Sequence, residues 1–200
     1  PLMWSALQPN KLLLAVRNPR RGNVDSFFVG RTIVDKDSVS PFDNVTFFPL
    51  YKYPDPRTSQ RTFELHGEHR SNLTPAFLHA FSAKLGLPSE APQGLPAGLT
   101  PEDIFHYAYA VFHSPGYRSR YAEFLKIDFP RLPLTGNLEL FRALARLGGE
   151  LTALHLLESP TLDQPMTELV GNRNPEVEKP TWSKDTVWVD KRQTTGFQGV

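Results

Sequence analysis

Residues 100–126 read TPEDIFHYAYAVFHSPGYRSRYAEFLK, and this stretch decides the helical part of the fold. Thr100 stands before Pro101, as a capping residue stands before the first residue of a helix. Glu102 and Asp103 follow, where the positive end of the helix dipole favours carboxylates. These signals predict a helix that begins at Pro101.

A second start signal interrupts the same stretch at Ser114-Pro115. The apolar residues that follow recur at helical spacing and are Tyr117, Tyr121, Phe124 and Leu125. The sequence Asp128-Phe129-Pro130 ends this helix, because proline lacks a backbone donor and restricts the residue before it.

Two more helices are predicted on either side. One begins at Thr74-Pro75 and ends at Gly86. The other runs from Asn137 to Leu157, and its leucines step by four and three residues: Leu140, Leu144, Leu147, Leu151 and Leu154. That stripe predicts packing on the other helices. Gly148-Gly149 costs about 1 kcal/mol per glycine relative to alanine, so a close approach of another helix is expected there.

The first third of the chain predicts β-structure. Runs rich in β-branched and aromatic residues cover 12–16, 27–34 and 45–51, and turn signals separate them. Pro49 restricts the third run to an edge strand or a bulge, because it cannot donate to a ladder. Extended structure returns at residues 186–189, and a connector rich in proline and glycine spans 88–98.

The predicted fold class is therefore α+β. A β-rich N-terminal part covers residues 1–70, a packed helical part covers 71–158, and an extended tail covers 159–200.

Composition limits the class of protein. The 200 residues are 40% hydrophobic, which is enough to bury a core. The sequence has no cysteine, which excludes disulfides, thiolate nucleophiles and cysteine-based zinc sites. No run approaches the ~20 apolar residues that span a bilayer, and no leader opens the sequence, so we expect no membrane partner and a cytoplasmic location. Because the chain opens Pro1-Leu2-Met3, we expect it to be a fragment of a longer protein.

Charge is divided unevenly along the chain. Residues 1–70 hold ten Lys and Arg against seven Asp and Glu, whereas residues 71–200 hold twelve against fourteen. A positive bias suits phosphate binding, but it is also common on solvated surfaces.

Catalytic motifs are missing from the sequence. An adenine or cytosine methyltransferase needs an Asn/Asp-Pro-Pro-aromatic loop, and Asn18-Pro19-Arg20 and Asn174-Pro175-Glu176 lack its second proline and its aromatic residue. No G-x-x-x-x-G-K loop supports ATP hydrolysis. We therefore predict no catalytic residue in this chain.

The segment HGEHRSN at residues 66–72 could bind a metal or serve a nuclease of the His/Asn type, since His66 and His69 flank the carboxylate of Glu68. However, the histidines are three apart beside a glycine, and no third ligand follows at a suggestive spacing. We predict a polar loop and no metal site.

Other polar residues lie on the predicted helices. We interpret three histidines as packing or capping residues: His106, His113 and His155. Three cations and two carboxylates are interpreted as a solvated helix face with i,i+3 pairing: Arg118, Arg120, Lys126, Glu123 and Asp128. The alternative interpretation is that these cations contact phosphate.

The N-terminal cations are arranged differently, because they lie on predicted turns and strand edges. They are Arg17, Arg20, Arg21, Arg31, Lys36, Lys52, Arg57 and Arg61. Arginine on loops that project from a rigid sheet can bind both base edges and phosphates. The residues alone leave two interpretations open, DNA contact and surface charge.

A family resemblance bears on that choice. Residues 102–126, together with the segment DFPRLPL at 128–134, closely resemble the C-terminal specificity domain of type ISP restriction–modification enzymes. The resemblance covers nearly the whole chain and continues in VDK at 34–36, FFPLY at 47–51, LTALHLL at 151–157 and VWVDK at 187–191.

In that family one polypeptide carries a nuclease, an ATP-driven translocase, an adenine-N6 methyltransferase and then this domain. The resemblance implies that the chain reads an asymmetric site on double-stranded DNA, with the methyltransferase and translocase domains as further partners. It implies no cofactor in this chain, since S-adenosylmethionine, ATP and Mg²⁺ would belong to the other domains. The family pattern continues beyond residues 196–200, so we also expect the domain to be incomplete at its C-terminus.

Because target-reading residues vary with the target, we place DNA contact on the N-terminal cations named above. The main alternative is a protein-interaction scaffold that positions the catalytic domains and hardly touches DNA. A nuclease or methylase domain is the third possibility, and it lacks its motifs.

Overall fold

A computed structural model describes residues 7–16, 27–35, 45–54 and 69–199. Contacts divide the chain into two compact units, Pro1–Leu157 and Glu158–Val200. Antiparallel sheets form in the N-terminal part of the chain and helices in its middle, which confirms the predicted α+β fold.

Three strands form the first sheet, in the order β2-β1-β3. The central strand β1 (Leu12–Val16) pairs antiparallel with β2 (Phe27–Gly30) and with β3 (Val45–Pro49). The lateral position of β3 agrees with the prediction from its proline. The strand predicted over 27–34 is shorter than expected, because Ile33 and the next residue leave the ladder and pack against an apolar cluster on this sheet.

Five helices lie within the described part of the larger unit. They are α1 (Pro75–Leu85), α2 (Pro101–His113), α3 (Pro115–Arg120), α4 (Ala122–Leu125) and α5 (Leu138–His155). Among the described helices, none has the length and apolar character needed to cross a membrane.

The predicted helix starts are confirmed by their caps. The Thr74 hydroxyl accepts from the amide of Phe77, and Thr100 and Asp103 bond each other's backbone amides in a capping box. Gly86 ends α1 in the left-handed region with φ 69°, a conformation that favours glycine at this position.

The third predicted helix is divided in two. Tyr121, with φ −108° and ψ 16°, leaves the helical region between α3 and α4. Hydrogen bonds nevertheless continue on both sides of it, since its amide donates to the Tyr117 carbonyl and its own carbonyl accepts from Leu125.

The prediction that the leucine stripe forms the buried face of α5 is wrong. The buried residues of this helix are Phe141, Ala145, Gly148 and Thr152. Leu140 and Leu147 are each 48% exposed, while Leu144 and Leu151 only flank the core. Both sets of residues satisfy the helical period, but the face with small residues allows α5 to approach its neighbour, and bulky leucines at that seam would hold the two helices apart.

That close approach lies where the sequence predicted it. A Cβ atom added to Gly148 would stand 1.9 Å from the backbone oxygen of His106 in α2. No side chain fits at that distance, so glycine is required by the contact between α2 and α5 rather than by its own backbone conformation.

Two short ribbons also lie in the described part of the larger unit. The strand β4 (Tyr51–Lys52) pairs with β5 (Arg70–Ser71), and β6 (Ser89–Glu90) pairs with β7 (Leu95–Pro96). The second ribbon occupies the segment that was expected to be a plain connector.

The smaller unit contains a four-stranded antiparallel sheet in the order β8-β11-β10-β9. Its strands are β8 (Glu168–Val170), β9 (Thr181–Ser183), β10 (Thr186–Trp188) and β11 (Gly196–Gln198). The extended structure predicted near residue 186 is thus a central strand of this sheet.

Candidate nucleic-acid interface

Two of the eight predicted DNA-contacting cations lie within the described residues. Arg31 follows β2 and is exposed, and Lys52 lies in β4 and is half-buried. The other six lie outside the described residues and are Arg17, Arg20, Arg21, Lys36, Arg57 and Arg61.

The β4–β5 ribbon has two chemically different faces. Its register pairs Tyr51 with Ser71 and Lys52 with Arg70. Directly paired residues of an antiparallel ribbon project to the same side, and successive residues project to opposite sides. One face therefore carries an aromatic and a hydroxyl side chain, and the other carries two cations.

The aromatic face is fixed to α2 by a hydrogen bond. The Tyr51 hydroxyl donates to a carboxylate oxygen of Glu102 at 2.6 Å, and Glu102 lies in the first turn of that helix. Burial raises the pKa of Tyr51 well above its usual range, and the neighbouring carboxylate raises it further. The phenol is therefore a neutral donor, which suits a structural bond.

Asn10 fixes the same ribbon to the first sheet. Its side-chain oxygen accepts from the amides of Lys11 and Tyr51 at 2.9 and 3.1 Å, and its side-chain nitrogen donates to the Tyr51 carbonyl at 2.9 Å. Asn10 is only 5% exposed. A buried side chain with three such bonds holds the entry of β1 against β4.

His69 packs against the two tyrosines of this region. Its ring stands edge-on to Tyr51 with centroids 4.4 Å apart, and it stacks on Tyr53 at 5.1 Å. His66 and Glu68, the other members of the possible metal motif, lie outside the described residues. Within residues 7–16, 27–35, 45–54 and 69–199, no group of three or more His, Asp or Glu side chains could hold a metal.

A cleft of about 560 Å³ opens beside this aromatic face. Its lining combines a proline, an amide, two cations, three aromatic rings and one carboxylate: Pro9, Asn10, Lys11, Arg31, Tyr51, Tyr53, His69 and Glu102. Such a mixture can bind a phosphate by charge and a base by its edge or its face.

Lys11 is oriented at this cleft by His106 of α2. The lysine ammonium donates to the imidazole Nε2 at 2.8 Å. Burial lowers the pKa of His106, and the charge of Lys11 lowers it further. The imidazole is thus held in its neutral form, the form that can accept this bond.

His113 and His155, the other two histidines interpreted as packing or capping residues, both contact Tyr109. The Tyr109 hydroxyl lies 2.6 Å from Nδ1 of His155, and Nδ1 of His113 lies 2.9 Å from the Tyr109 carbonyl oxygen. Burial lowers the pKa of His113, and the charges of Arg118 and His155 lower it further. These contacts fit the interpretation of these residues as packing and capping groups.

Two cations of the predicted solvated helix face, Arg118 and Lys126, also make structural contacts. Lys126 pairs with Glu123, the predicted i,i+3 arrangement. The Arg118 guanidinium donates through Nε to the Phe112 carbonyl at 2.9 Å, near the end of α2.

Sequence reasoning assigned no DNA contact to Lys11, Tyr53, His69 and Arg70, or to three further polar and aromatic residues of the cleft: Asn10, Tyr51 and Glu102. Lys11 stands just before the apolar run of β1 and was not grouped with the N-terminal cations. Arg70 belonged to a segment interpreted as a polar loop. A period-two pattern in a two-residue strand is too short to detect, so no local signal pointed to the ribbon.

The described residues thus form a mixed α+β fold with a candidate interface that is basic and lined by tyrosines. The chain belongs to the Type ISP C-terminal specificity domain family, whose model matches residues 1–200. No curated protein sequence matches it.

Two solved structures share the fold. One is described as the ATP-dependent Type ISP restriction-modification enzyme LlaBIII bound to DNA, with 22% identity and a TM-score of 0.62. The other is described as a DrdV–DNA complex determined by cryoEM, with 22% identity and a TM-score of 0.63. Each match covers 99% of this chain, but only 12% of the first and 19% of the second protein.

Proposed function

We propose that residues 1–200 form the DNA target-recognition domain of a type ISP restriction–modification enzyme. In this function the chain binds double-stranded DNA at an asymmetric site and performs no catalysis itself. The observation that carries the proposal is the match of the specificity-domain family over the whole chain. The two DNA-bound structures with the same fold support it.

The N-terminal β-rich part is the proposed DNA-facing surface. Arg31 and Lys11 line the cleft, and Lys52 lies on the ribbon next to it. The six predicted cations outside the described residues belong to the same proposal. Arginine binds guanine edges through two donors, whereas lysine and arginine both neutralise phosphates.

The rest of the parent protein completes the activity. In this proposal the parent is a cytoplasmic restriction endonuclease and adenine-specific DNA methyltransferase, whose other domains use S-adenosylmethionine, ATP and Mg²⁺. This chain docks on the methyltransferase and translocase domains of the same polypeptide. It supplies the choice of site, and they supply the chemistry.

Selection from randomised duplexes tests the proposed function. The full-length protein is mixed with a pool of random double-stranded DNA, and bound molecules are sequenced. We expect one asymmetric sequence to be enriched. Absence of any enriched sequence, with retained DNA binding, would contradict target recognition.

Alanine substitution then tests the surface. Single changes are made in the full-length protein at Arg17, Arg20, Arg21, Arg31, Lys36 and Lys52. Loss of a base contact costs about 1–3 kcal/mol on the selected sequence and much less on a scrambled one. Loss of a phosphate contact reduces the slope of log K against log salt by up to about 0.9 on both duplexes.

The scaffold alternative predicts a different result. If all six substitutions leave affinity, salt slope and sequence preference unchanged, the N-terminal surface does not face DNA. The helical face with Arg118, Arg120 and Lys126 would then become the candidate.

A further inference from the structure

The outer face of the β4–β5 ribbon carries two like charges directly opposite each other. Lys52 and Arg70 are register partners, so their Cβ atoms stand about 4.5–5.5 Å apart on one side of the ribbon. A pair of cations at this separation is suited to hold one anion between them.

Contacts on the opposite face of the ribbon fix the direction in which Lys52 and Arg70 project. Tyr51 is bonded to Glu102 and to Asn10, and the rings of Tyr53 and His69 stack at the open end. A two-residue ribbon with one face anchored in this way has a fixed orientation. Its cations therefore point away from the α2 anchor.

Exposure of the two cations fits contact with a large ligand. Arg70 is exposed and Lys52 is half-buried. A long side chain of this kind can pack its apolar stem and extend its charged end. The guanidinium offers a planar pair of donors that matches phosphate oxygens, and the ammonium adds a point charge.

We infer that Lys52 and Arg70 form a clamp for a single backbone phosphate of the DNA target. This inference rests on the proposed function, and it adds a residue, Arg70, and a chemical role that sequence reasoning did not assign. The clamp fixes the position of the domain on the duplex and carries no sequence preference of its own. Base recognition then falls to other residues, such as Arg31 at the cleft.

A shared phosphate has a distinctive salt dependence. Neutralising one phosphate contributes about 0.9 to the slope of log K against log salt. Two cations on one phosphate therefore contribute about 0.9 together, whereas two cations on separate phosphates contribute about 1.8.

The experiment uses glutamine variants of the full-length protein, because glutamine keeps much of the side-chain length. Lys52→Gln, Arg70→Gln and the double variant are titrated on the selected duplex at several salt concentrations. We expect the double variant to lower the slope by about 0.9, and each single variant to lower it by less. Arg142→Gln, at an exposed position of α5, is the matched control and leaves the slope unchanged.

Neutral phosphates identify the ligand. Methylphosphonate is placed at one backbone position at a time in the duplex. At one position we expect it to lower the slope of the wild-type protein by about 0.9 and to leave the slope of the double variant unchanged. Free phosphate as the ligand would give no such position.

The outcomes separate the inference from the proposed function. A fall of about 1.8 in the double variant, or no fall at all, overturns the clamp while target selection by the wild-type protein still stands. If the wild-type protein selects no sequence, the proposed function fails first. The exchange Lys52→Arg with Arg70→Lys keeps two cations on this face, so we expect it to retain the slope, and a fall of about 0.9 would overturn the clamp.

Discussion

The contact between α2 and α5 and the β4–β5 ribbon are held in opposite ways. The helices meet through buried apolar residues and Gly148, where an added Cβ would overlap the backbone of the facing helix. The ribbon has two-residue strands, and polar bonds from Asn10 and Glu102 fix it in place. The first region is stabilised mainly by burial and the second by distant polar partners. The packed helices therefore form the support, and the ribbon keeps its orientation through the polar bonds that join it to Asn10 and Glu102.

The largest effect is expected at the buried face of α5. Phe141 is 0% exposed and contacts the rings of Phe81 and Tyr107 at 5.3 and 5.0 Å. Phe141→Ala should lower the free energy of unfolding by about 3–5 kcal/mol. Leu147→Ala, at a position 48% exposed, should change it by about 0.5 kcal/mol or less.

Denaturant titration of both variants measures this difference. Equal losses in the two variants would mean that the leucine stripe is buried after all. Such a result would remove the distinction between a packed core and an outer helical face.

A smaller loss is expected from the close contact of the two helices. Gly148→Ala places a methyl group on the His106 carbonyl, and overpacking of this kind costs about 1–3 kcal/mol. Gly116→Ala is the control, because its added Cβ would meet only the Ser114 hydroxyl at 3.8 Å. The control should gain up to about 1 kcal/mol from helix propensity.

Thermal unfolding of the two glycine variants gives opposite shifts in Tm if the steric account is right. A stabilised Gly148→Ala protein would show that α2 and α5 can separate without cost.

The ribbon should respond locally. Tyr51→Phe removes the bond to Glu102 and should cost about 1–2 kcal/mol, because a half-buried carboxylate loses its donor. Hydrogen exchange should accelerate at the ribbon amides and stay unchanged in α5. Equal acceleration in both regions would mean that ribbon and helices open as one cooperative unit.

The difference between the helices and the ribbon also explains which parts of the fold could be predicted from the sequence. Helix starts at Thr74, Thr100 and Ser114 were predictable, because a cap is a local signal read within four residues. The close contact at Gly148 was predictable for a similar reason. The buried face of α5 was not, because two adjacent stripes satisfy the same period and only the partner helix decides between them.

The candidate interface was predictable only in part. Arg31 and Lys52 were proposed from their predicted positions at turns and strand edges, and their contact with DNA stays a prediction. The ribbon could not be predicted, since its pairing joins residues far apart in the chain. Only that register brings Arg70 opposite Lys52. Long-range pairing of this kind leaves no periodic trace in the sequence.

Site-specific photo-crosslinking tests most directly whether the N-terminal β-rich part faces DNA. A photoreactive amino acid replaces Arg31, Lys52, Arg120 or Arg142 in the full-length protein, which is then irradiated with the labelled target duplex. We expect crosslinks from positions 31 and 52 and none from 120 or 142. Crosslinks from position 120 alone would contradict a DNA-facing N-terminal part and would place the DNA on the helical face.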